Sequence, residues 1–291
     1  MKFAVFSGSA PEWAPAELGA KLARQGWDGV EWRVTDQKDA PQPGFWAGNR
    51  ATFPFTGLAG SAGEIARITR DAGLGLAGLA AYVQINDRKN VDALMAGTAA
   101  CGAGKARVQV PKAAPGTRYN ELFAATRADA EYAAEAARRN GVQAIIQIHH
   151  GNIVSTSSAA FRLLNGLDPR HIGVMHDLGN LTIEGREGLT SYTPGLEILG
   201  PYLAHVHIKN AVWKAGATRP DGATEWAWSW APLKTGMGDV PAYFKALKEV
   251  GYDGWIVLEN FLTDPPLAER LAGDLAFFKS SAAAAGYAVG G

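Results

Sequence analysis

The sequence predicts a single-domain α/β protein of the (β/α)8 TIM-barrel class. Short apolar runs alternate eight times with longer helical patterns along the 291 residues, and strands that alternate with helices favour a parallel sheet. Eight such units in a chain of this length fit a closed barrel, which typically needs about 250 residues. Since no linker rich in Pro, Gly or Ser divides the chain, we expect residues 1–291 to form one domain.

Eight short apolar runs predict the strands. Each run is five to eight residues long, which is the usual length of a strand. In chain order, the predicted strands are Lys2–Phe6, Gly29–Val34, Gly75–Ala81, Ala106–Val110, Val142–His149, His171–Asp177, Leu203–Ile208 and Trp255–Glu259.

Apolar spacing and stop signals predict the helices between these strands. In the first helix, Leu18 and Leu22 are four residues apart, and Gly26 follows the last residue. Asn140 and Gly141 end the long alanine-rich helix in the middle of the chain. In chain order, the predicted helices are Ala16–Gln25, Gly63–Ala72, Val91–Cys101, Tyr119–Arg139, Ser157–Asn165, one within Pro194–Gly200, Val240–Val250 and Pro266–Ala284.

Two connections are longer than the few residues that usually join such elements, and they cover about 35–62 and 210–239. Both follow a predicted strand and precede a predicted helix. They should therefore lie on the C-terminal face of the barrel, where long ordered loops usually serve a functional site.

Composition and charge exclude several classes of function. Lys and Arg total 28, as do Asp and Glu, so the basic surplus of a nucleic-acid-binding protein is absent. The single cysteine, Cys101, excludes an internal disulfide and a cysteine-ligated zinc site. No apolar run approaches the roughly 18 residues of a membrane span, and the apolar run in Met1–Gly8 is too short for a secretion signal. We therefore expect a cytoplasmic protein without a nucleic-acid or membrane partner.

Metal-capable side chains stand at the ends of four consecutive predicted strands. Because side chains alternate along a strand, these groups can face one shared pocket at the C-terminal end of the barrel. Mixed nitrogen and oxygen ligands suit Mn²⁺, Mg²⁺, Co²⁺ or Zn²⁺. The candidates are Gln147 or His149 on the fifth strand, Asp177 on the sixth, His207 on the seventh and Glu259 on the eighth.

The other histidines have different expected roles. His171 begins a strand, so it should lie at the opposite end of the barrel. His176 alternates away from Asp177 and should pack outward. His205 lies one pleat below His207, where it supports the site or belongs to the core, and the role of His150 stays open.

Four segments resemble the xylose isomerase-like barrels, a superfamily of sugar isomerases, ketose 3-epimerases, inosose dehydratases and the metal-dependent endonuclease IV group. Gly236–Glu259 resembles the last βαβ unit of these barrels. His205–Asn210 (HVHIKN) resembles the His-x-His-[Ile/Leu]-Lys-Asp strand, and Met175–Asn180 (MHDLGN) resembles Leu-x-Asp-Thr-Gly-His. Gln147–Gly151 (QIHHG) resembles Glu-x-His-x-Gly. The resemblance spans essentially the whole chain and specifies no substrate.

The resemblance implies one divalent ion held by Gln147, Asp177, His207 and Glu259. Gln147 stands where the family usually has Glu, so it can offer a carbonyl oxygen to the ion but cannot act as a base. Of the two opposed carboxylates that the 3-epimerases use, only Glu259 remains. His149 could replace Gln147 as ligand or act as the base.

Two further departures argue against DNA repair. Asn180 and Asn210 stand where the family motifs have His and Asp, so additional metal-binding groups are missing. The multi-metal cluster of the endonuclease IV group needs extra histidines. The zero net charge argues in the same direction.

Aromatic residues in the two long connections suit a sugar or an aromatic aglycone. One connection contains Trp213, Trp226, Trp228 and Trp230, and the other contains Phe45, Trp46, Phe53 and Phe55. Aromatic-rich loops also form subunit interfaces, so a homo-oligomer is an open alternative. The candidate substrate-binding residues are Glu31, Arg33, Trp13, Trp213, Trp228 and Lys112.

The leading functional hypothesis is a metal-dependent sugar or ketosugar isomerase or epimerase. A base, His149 or Glu259, would remove a proton beside a polarised carbonyl, and Lys209 would stabilise the resulting oxyanion. The alternative is a lyase that uses the same first step, either a dehydratase or a C-glycoside deglycosidase-like enzyme acting on a 3-keto-sugar. A non-catalytic sugar-binding barrel is a third hypothesis, and an abasic-site endonuclease is the least favoured hypothesis.

Overall fold

The computed structural model describes residues 1–190 and 192–288. Its strands are β1 (Lys2–Phe6), β2 (Gly29–Val34), β3 (Thr52–Phe53), β4 (Gly75–Gln84), β5 (Lys105–Gln109), β6 (Gln143–Gln147), β7 (Ile172–Asp177), β8 (Leu203–Ile208), β9 (Asn210–Thr218), β10 (Thr224–Ala231) and β11 (Trp255–Leu258). Its helices are α1 (Pro15–Gln25), α2 (Leu58–Asp71), α3 (Arg88–Ala100), α4 (Tyr119–Asn140), α5 (Ser157–Leu164), α6 (Leu178–Glu184), α7 (Tyr192–Leu199), α8 (Val240–Glu249) and α9 (Leu267–Ala284).

Eight parallel strands close into a barrel. Going round the barrel, β1, β2, β4, β5, β6, β7, β8 and β11 pair in that order, and β11 pairs again with β1. Closure removes both edges of the sheet, and the helices pack around it. The (β/α)8 barrel predicted from the sequence is confirmed, and all eight predicted strands coincide with barrel strands.

The two long connections contain structure that the sequence reading did not anticipate. The connection at 210–239 is largely an antiparallel hairpin of β9 and β10, in which Trp228 is opposite Trp213. Trp226, Trp228 and Trp230 recur every second residue, which is the pattern of one strand face rather than of an irregular loop. The connection at 35–62 contains β3, which pairs beside β2.

The short helix α6 was also missed, and it begins directly after β7. Asp177 ends the strand and caps the helix, since its Oδ1 accepts a hydrogen bond from the backbone N–H of Asn180 at 3.0 Å. Because the strand ends and the helix begins at neighbouring residues, no turn sequence between them indicates the start of the helix.

Alternation along the strands divides the interior into two regions. Val5, Trp32 and Ile256 belong to the larger apolar core between barrel and helices. Inside the barrel, small apolar residues surround Phe6, and the remaining inward positions are largely polar. TIM-barrel interiors are usually filled by bulky branched residues, so this polar interior marks the position of the site.

Within the described residues, no helix has the length and apolar character required to cross a membrane. Cys101 is buried and unpaired with another cysteine.

Gly29→Ala should destabilise the N-terminal end of the barrel. A Cβ atom at Gly29 would lie 2.6 Å from the backbone oxygen of Gly75 and 2.6 Å from the ring of Trp255. We expect a loss of about 1–3 kcal/mol in the free energy of unfolding, because overfilling forces the backbone to shift. The measurement is urea denaturation followed by circular dichroism.

Gly63→Ala is the matched control for this substitution. Gly63 lies on α2 with no atom within 4 Å of the added Cβ, and alanine favours helix there. An unfolding midpoint of Gly29→Ala equal to that of Gly63→Ala would contradict the packing argument.

Candidate active site

The polar residues of the barrel interior come from the inward face of five strands and from the residue that follows β11. On β2, Val30 and Trp32 pack in the outer core, so Glu31 and Arg33 face inward. The other inward polar residues are Lys105, Arg107 and Gln109 on β5, Gln147 on β6, Asp177 on β7, His205 and His207 on β8, and Glu259 after β11.

Glu31 joins the two histidines of β8. Its Oε1 lies 3.0 Å from His205 Nε2 and its Oε2 lies 2.7 Å from His207 Nε2. Burial alone would raise the pKa of Glu31, but the charge of His207 and hydrogen bonds from both histidines hold it well below its usual range. Glu31 is therefore a buried anion inside the barrel.

The pKa values of the two histidines shift in opposite directions, although Glu31 favours the charged form of each. Burial lowers the pKa of His205 to about 4, so this ring is neutral at pH 7. Burial also opposes the charged form of His207, but the carboxylates of Glu31 and Glu259 raise its pKa to about 9. The Nδ1 of His207 is buried without a hydrogen-bond partner and lies 3.8 Å from Glu259 Oε2.

Lys209 lies between the two carboxylates at the C-terminal end of the barrel. Its ammonium group contacts both Asp177 and Glu259. Burial opposes the charge of Lys209, yet the two carboxylates raise its pKa above the usual value. Lys209 in turn holds the pKa of Glu259 below its usual range against the effect of burial.

Three of these residues fit a divalent metal ion. Asp177, His207 and Glu259 are buried, and each offers one ligand atom within 4.8 Å of the others. Carboxylate oxygens and an imidazole nitrogen suit Mn²⁺, Mg²⁺, Co²⁺ or Zn²⁺. The unpartnered Nδ1 of His207 supports this fit, because a buried polar atom normally has a partner.

The Gln147 amide bridges Arg107 and Asp177. Its Oε1 accepts a hydrogen bond from Arg107 Nη1 at 2.9 Å, and its Nε2 donates to Asp177 Oδ2 at 2.6 Å. Turning the amide to offer its oxygen beside Asp177 would place two N–H donors face to face at Arg107. The structure thus places the Gln147 amide beside Asp177, and its role as a metal ligand stays a prediction.

His149 has the chemistry of a base. Its Nδ1 lies 2.8 Å from the backbone oxygen of His150, which can only accept, so Nδ1 carries the proton and Nε2 is free. Burial, together with the charge of Lys209, lowers the pKa of His149 to about 4. His150 stacks on this ring with centroids 4.4 Å apart and is oriented by Asn180, whose Oδ1 is 3.0 Å from its Nδ1.

A cavity of about 320 Å³ opens above these groups. Its floor is polar and its wall is aromatic. The lining residues are Trp46, Tyr82, Arg107, Gln109, Gln147, His149, His150, Lys209, Trp228, Trp230, Glu259 and Phe261. This cavity is large enough for a monosaccharide with a substituent.

The aromatic wall is contributed by separate loops. Trp46 and Trp230 both pack on Phe261, with ring centroids 4.9 Å and 5.8 Å apart, and Trp228 packs on Trp230 at 4.9 Å. Trp46 is 56% exposed and Trp228 37% exposed. Large exposed aromatic rings at the mouth of a polar cavity offer a surface to a ligand.

Of the predicted substrate-binding residues, Trp228 lines the cavity and Glu31 lies buried beside His207, which it orients. Trp13 is buried in the apolar core, and the Lys21 ammonium lies 4.2 Å from the centroid of its ring. The expectation that Trp13 contacts substrate is therefore not met, because α1 holds the ring against the core.

Three further predicted residues lie outside the cavity lining. Trp213 donates from Nε1 to the backbone oxygen of Ile183 at 3.1 Å, so β9 packs its ring against α6. Arg33 donates to Gln37 at 3.0 Å and to Thr52 at 2.8 Å. Lys112 pairs through its backbone with Asn152. The side chains of Trp213 and Arg33 therefore have hydrogen-bond partners outside the cavity lining.

Sequence reasoning missed Arg107, Gln109, Tyr82 and Phe261 as cavity residues. The sequence of β5 (KARVQ) has a polar residue at every second position, which would have placed Arg107 inside the barrel. Tyr82 and Phe261 carry no comparable signal. The outward position expected for His176 is confirmed, since its Nδ1 lies 2.6 Å from the Tyr243 hydroxyl on α8.

A closed parallel barrel with titratable groups gathered at the C-terminal ends of its strands defines a protein with a site on that face. Residues 20–281 match the family described as Xylose isomerase-like TIM barrel. The chain belongs to this family, as its strand-end motifs predicted.

Curated relatives of the chain include inosose dehydratases. The protein of Lacticaseibacillus casei is 28% identical over 131 residues, which cover 42% of this chain and 42% of that protein. The protein of Geobacillus thermodenitrificans (strain NG80-2) is 26% identical over 141 residues, covering 45% and 44%. The matched segments therefore span less than half of these relatives.

Solved structures with the same fold include sugar epimerases. The 3-keto-D-glucoside 4-epimerase from E. coli has a TM-score of 0.71 at 16% identity, covering 96% of this chain and 99% of that one. The D-psicose 3-epimerase from Clostridium cellulolyticum H10, solved with D-tagatose, has a TM-score of 0.72 at 14% identity, covering 97% and 99%. A xylose isomerase-like barrel from Mycobacterium smegmatis, in complex with magnesium, has a TM-score of 0.68 at 17% identity, covering 98% and 97%. At these identities, the likeness shows the fold.

Glu31→Gln should destabilise the protein when divalent ions have been removed with a chelator. The substitution keeps the size of the side chain but leaves the charged His207 without its buried partner. We expect a loss of about 3–5 kcal/mol in the free energy of unfolding near pH 6. Because the pKa of His207 is raised from its usual value to about 9, its contribution is complete below about pH 6.5 and is lost as the pH rises through about 9.

The measurement is urea unfolding of both proteins across this pH range, with Glu197→Gln on the outer surface of α7 as control. The penalty of Glu31→Gln should shrink toward alkaline pH. A penalty that grows above pH 9, or that the control reproduces, would count against this role of Glu31.

Proposed function

We propose that this protein is a divalent-metal-dependent isomerase or epimerase of a sugar or ketosugar. The observation that carries the proposal is the buried group of Asp177, His207 and Glu259 beside a cavity that His149 and Lys209 also line. Membership in a family whose structural neighbours include sugar epimerases supports it. The aromatic wall of Trp46, Trp228 and Trp230 suits the apolar face of a sugar ring.

Each polar residue has a defined place in this reaction. A divalent ion bound by Asp177, His207 and Glu259 would act as a Lewis acid on the substrate. His149, neutral at pH 7 with a free Nε2, accepts the proton from the carbon beside the carbonyl. The Lys209 ammonium donates a hydrogen bond to the substrate oxygen on which negative charge develops. Returning the proton to the neighbouring carbon gives an isomer, and returning it to the opposite face gives an epimer.

A lyase is the second candidate, and one observation favours it. Gln147 replaces a carboxylate, so Glu259 is the carboxylate among the described residues that line the cavity. Without a second carboxylate opposite Glu259, removal of a proton followed by loss of a β-substituent is favoured over return of the proton to the opposite face. The inosose dehydratases among the relatives support the same reading.

Product analysis separates the two candidates. The protein, loaded with Mn²⁺, Co²⁺, Mg²⁺ or Zn²⁺, is incubated in D₂O with neutral and carboxylated ketosugars, inososes and 3-keto-glycosides. We expect deuterium to enter beside the carbonyl of the substrate, as followed by NMR, with the carbon skeleton retained in the mass spectrum. Loss of water or of the aglycone would assign a lyase, and absence of exchange from every substrate would overturn both candidates.

Asp177→Asn should abolish metal binding. The substitution removes the charge of a ligand but keeps its shape and its hydrogen bond to α6. Elemental analysis should give about one divalent ion per chain for the unmodified protein and almost none for the variant. Glu197→Gln, which alters an exposed carboxylate, should retain the ion; equal metal content in all three proteins would contradict the ligand assignment.

His149→Gln should distinguish a role of His149 as the base from a role as a metal ligand. If His149 is the base, the variant keeps its metal ion and loses deuterium exchange by about 10²–10⁴-fold. Both quantities are measured on one preparation, by elemental analysis and by NMR. Loss of the ion from this variant would instead place His149 among the ligands.

A further inference from the structure

Arg107 is a buried cation whose guanidinium contacts no carboxylate. It lies on β5, faces the barrel interior and is 3% exposed. Its Nε donates to the backbone oxygen of Ala81 at 3.1 Å and its Nη1 to Gln147 Oε1 at 2.9 Å. No ion pair joins it to an acidic side chain among the described residues. Buried arginines are rarely left without a counter-charge.

The guanidinium is held in place, but one of its nitrogens has no partner. The Tyr82 ring lies 4.5 Å from the centre of the group and fixes its plane. Nη2 is buried without a hydrogen-bond acceptor in the described part of the chain. Because Arg107 lines the cavity, a ligand there can supply the missing negative charge.

Gln109 adds a second donor on the same face of β5. It lies two residues beyond Arg107 and also lines the cavity. Its Oε1 accepts a hydrogen bond from Gln84 Nε2 at 2.8 Å, which leaves its own amide N–H groups as the donors available to a ligand. A charged donor and a neutral donor at neighbouring inward positions of one strand can both bind oxygens of an anionic ligand.

No acidic side chain of the barrel contacts Arg107, although the effect of burial on its pKa is outweighed by nearby groups that include Glu259 and Glu31. Glu31 binds His205 and His207, while Asp177 and Glu259 both contact Lys209. A carboxylate at position 147 would have supplied the counter-charge, but the chain has Gln there. The neutral amide satisfies one N–H group of Arg107 and leaves its charge for the cavity.

We propose that the substrate carries a carboxylate and that Arg107, with Gln109, binds it. The substrate is then a sugar acid or a carboxylated cyclic polyol rather than a neutral sugar. This inference rests on the cavity being the substrate site of the proposed function. Arg107 is a specificity-determining residue in this arrangement, on the side of the cavity formed by β5. The group of Asp177, His207 and Glu259 is contributed by β7, β8 and the end of β11.

The test compares matched acid and neutral ligands by binding, without turnover. Trp46, Trp228 and Trp230 line the cavity, so intrinsic tryptophan fluorescence reports occupancy. D-glucuronate is titrated against D-glucose, and D-galacturonate against D-galactose. We expect each acid to bind at least about tenfold more tightly than its neutral partner, as a charge-assisted hydrogen bond requires.

Arg107→Met should remove this preference, and Arg107→Lys should restore part of it. Lys105→Met is the matched control, because Lys105 is on the same face of β5 but outside the cavity lining; it should keep the preference. Binding of the acid to a metal ion would not depend on Arg107, so equal preference in Arg107→Met and the unmodified protein overturns the proposal. A saturable response to neither acid also overturns it.

Glucose 6-phosphate distinguishes the type of anion. Tighter, Arg107-dependent binding of the phosphate than of the uronates would assign the group to a phosphate and overturn the carboxylate. Failure of the proposed reaction can be told apart from failure of this inference. Absence of deuterium exchange would refute the reaction but would leave these binding results unchanged. Exchange on neutral ketosugars, with no Arg107-dependent preference for acids, would refute this inference alone.

Discussion

The polar interior of the barrel depends on the buried carboxylate of Glu31. A barrel filled with apolar side chains would need no such group, but this barrel contains two histidines on β8, and Glu31 binds the Nε2 atom of both. By holding Nε2 of His207, it turns Nδ1 toward Glu259 and the end of the barrel. Glu31 thus orients this candidate metal ligand from below. It lies on β2, which β1 and β11 separate from β8.

Charge is balanced in layers along the barrel axis. Glu31 faces His205 and His207, and above them Asp177 and Glu259 share the ammonium of Lys209. Arg107 also lines the cavity, and none of these carboxylates contacts its guanidinium. Since an unpaired buried charge is costly, the arrangement favours an anionic or electron-rich ligand in the cavity and a positive group or ion between Asp177 and Glu259.

The sequence was sufficient for the barrel and for three of the strand-end residues, since both follow from periodicity. Strand alternation placed Asp177, His207 and Glu259 on one face, and the structure brings their ligand atoms within 4.8 Å of one another. The sequence could not predict the orientation of the Gln147 amide, because that orientation depends on Arg107, which is 40 residues away in the chain. Trp13 was misplaced for a similar reason: a residue after β1 can turn toward the cavity or toward α1, and only packing decides between them.

Asn210 joins the β9–β10 hairpin to the barrel. It follows Lys209 directly, and its side chain donates to the backbone oxygens of Leu233 and Gly238 while accepting from Gly238 N–H. An aspartate there could not make both donations, which explains the amide at this position. One side chain thus ties both ends of the β9–β10 hairpin to the barrel. Exchanging the hairpin between this anchor and α8 would therefore change the aromatic wall of the cavity, together with the packing of Trp228 on His150 and of Trp230 near Lys209.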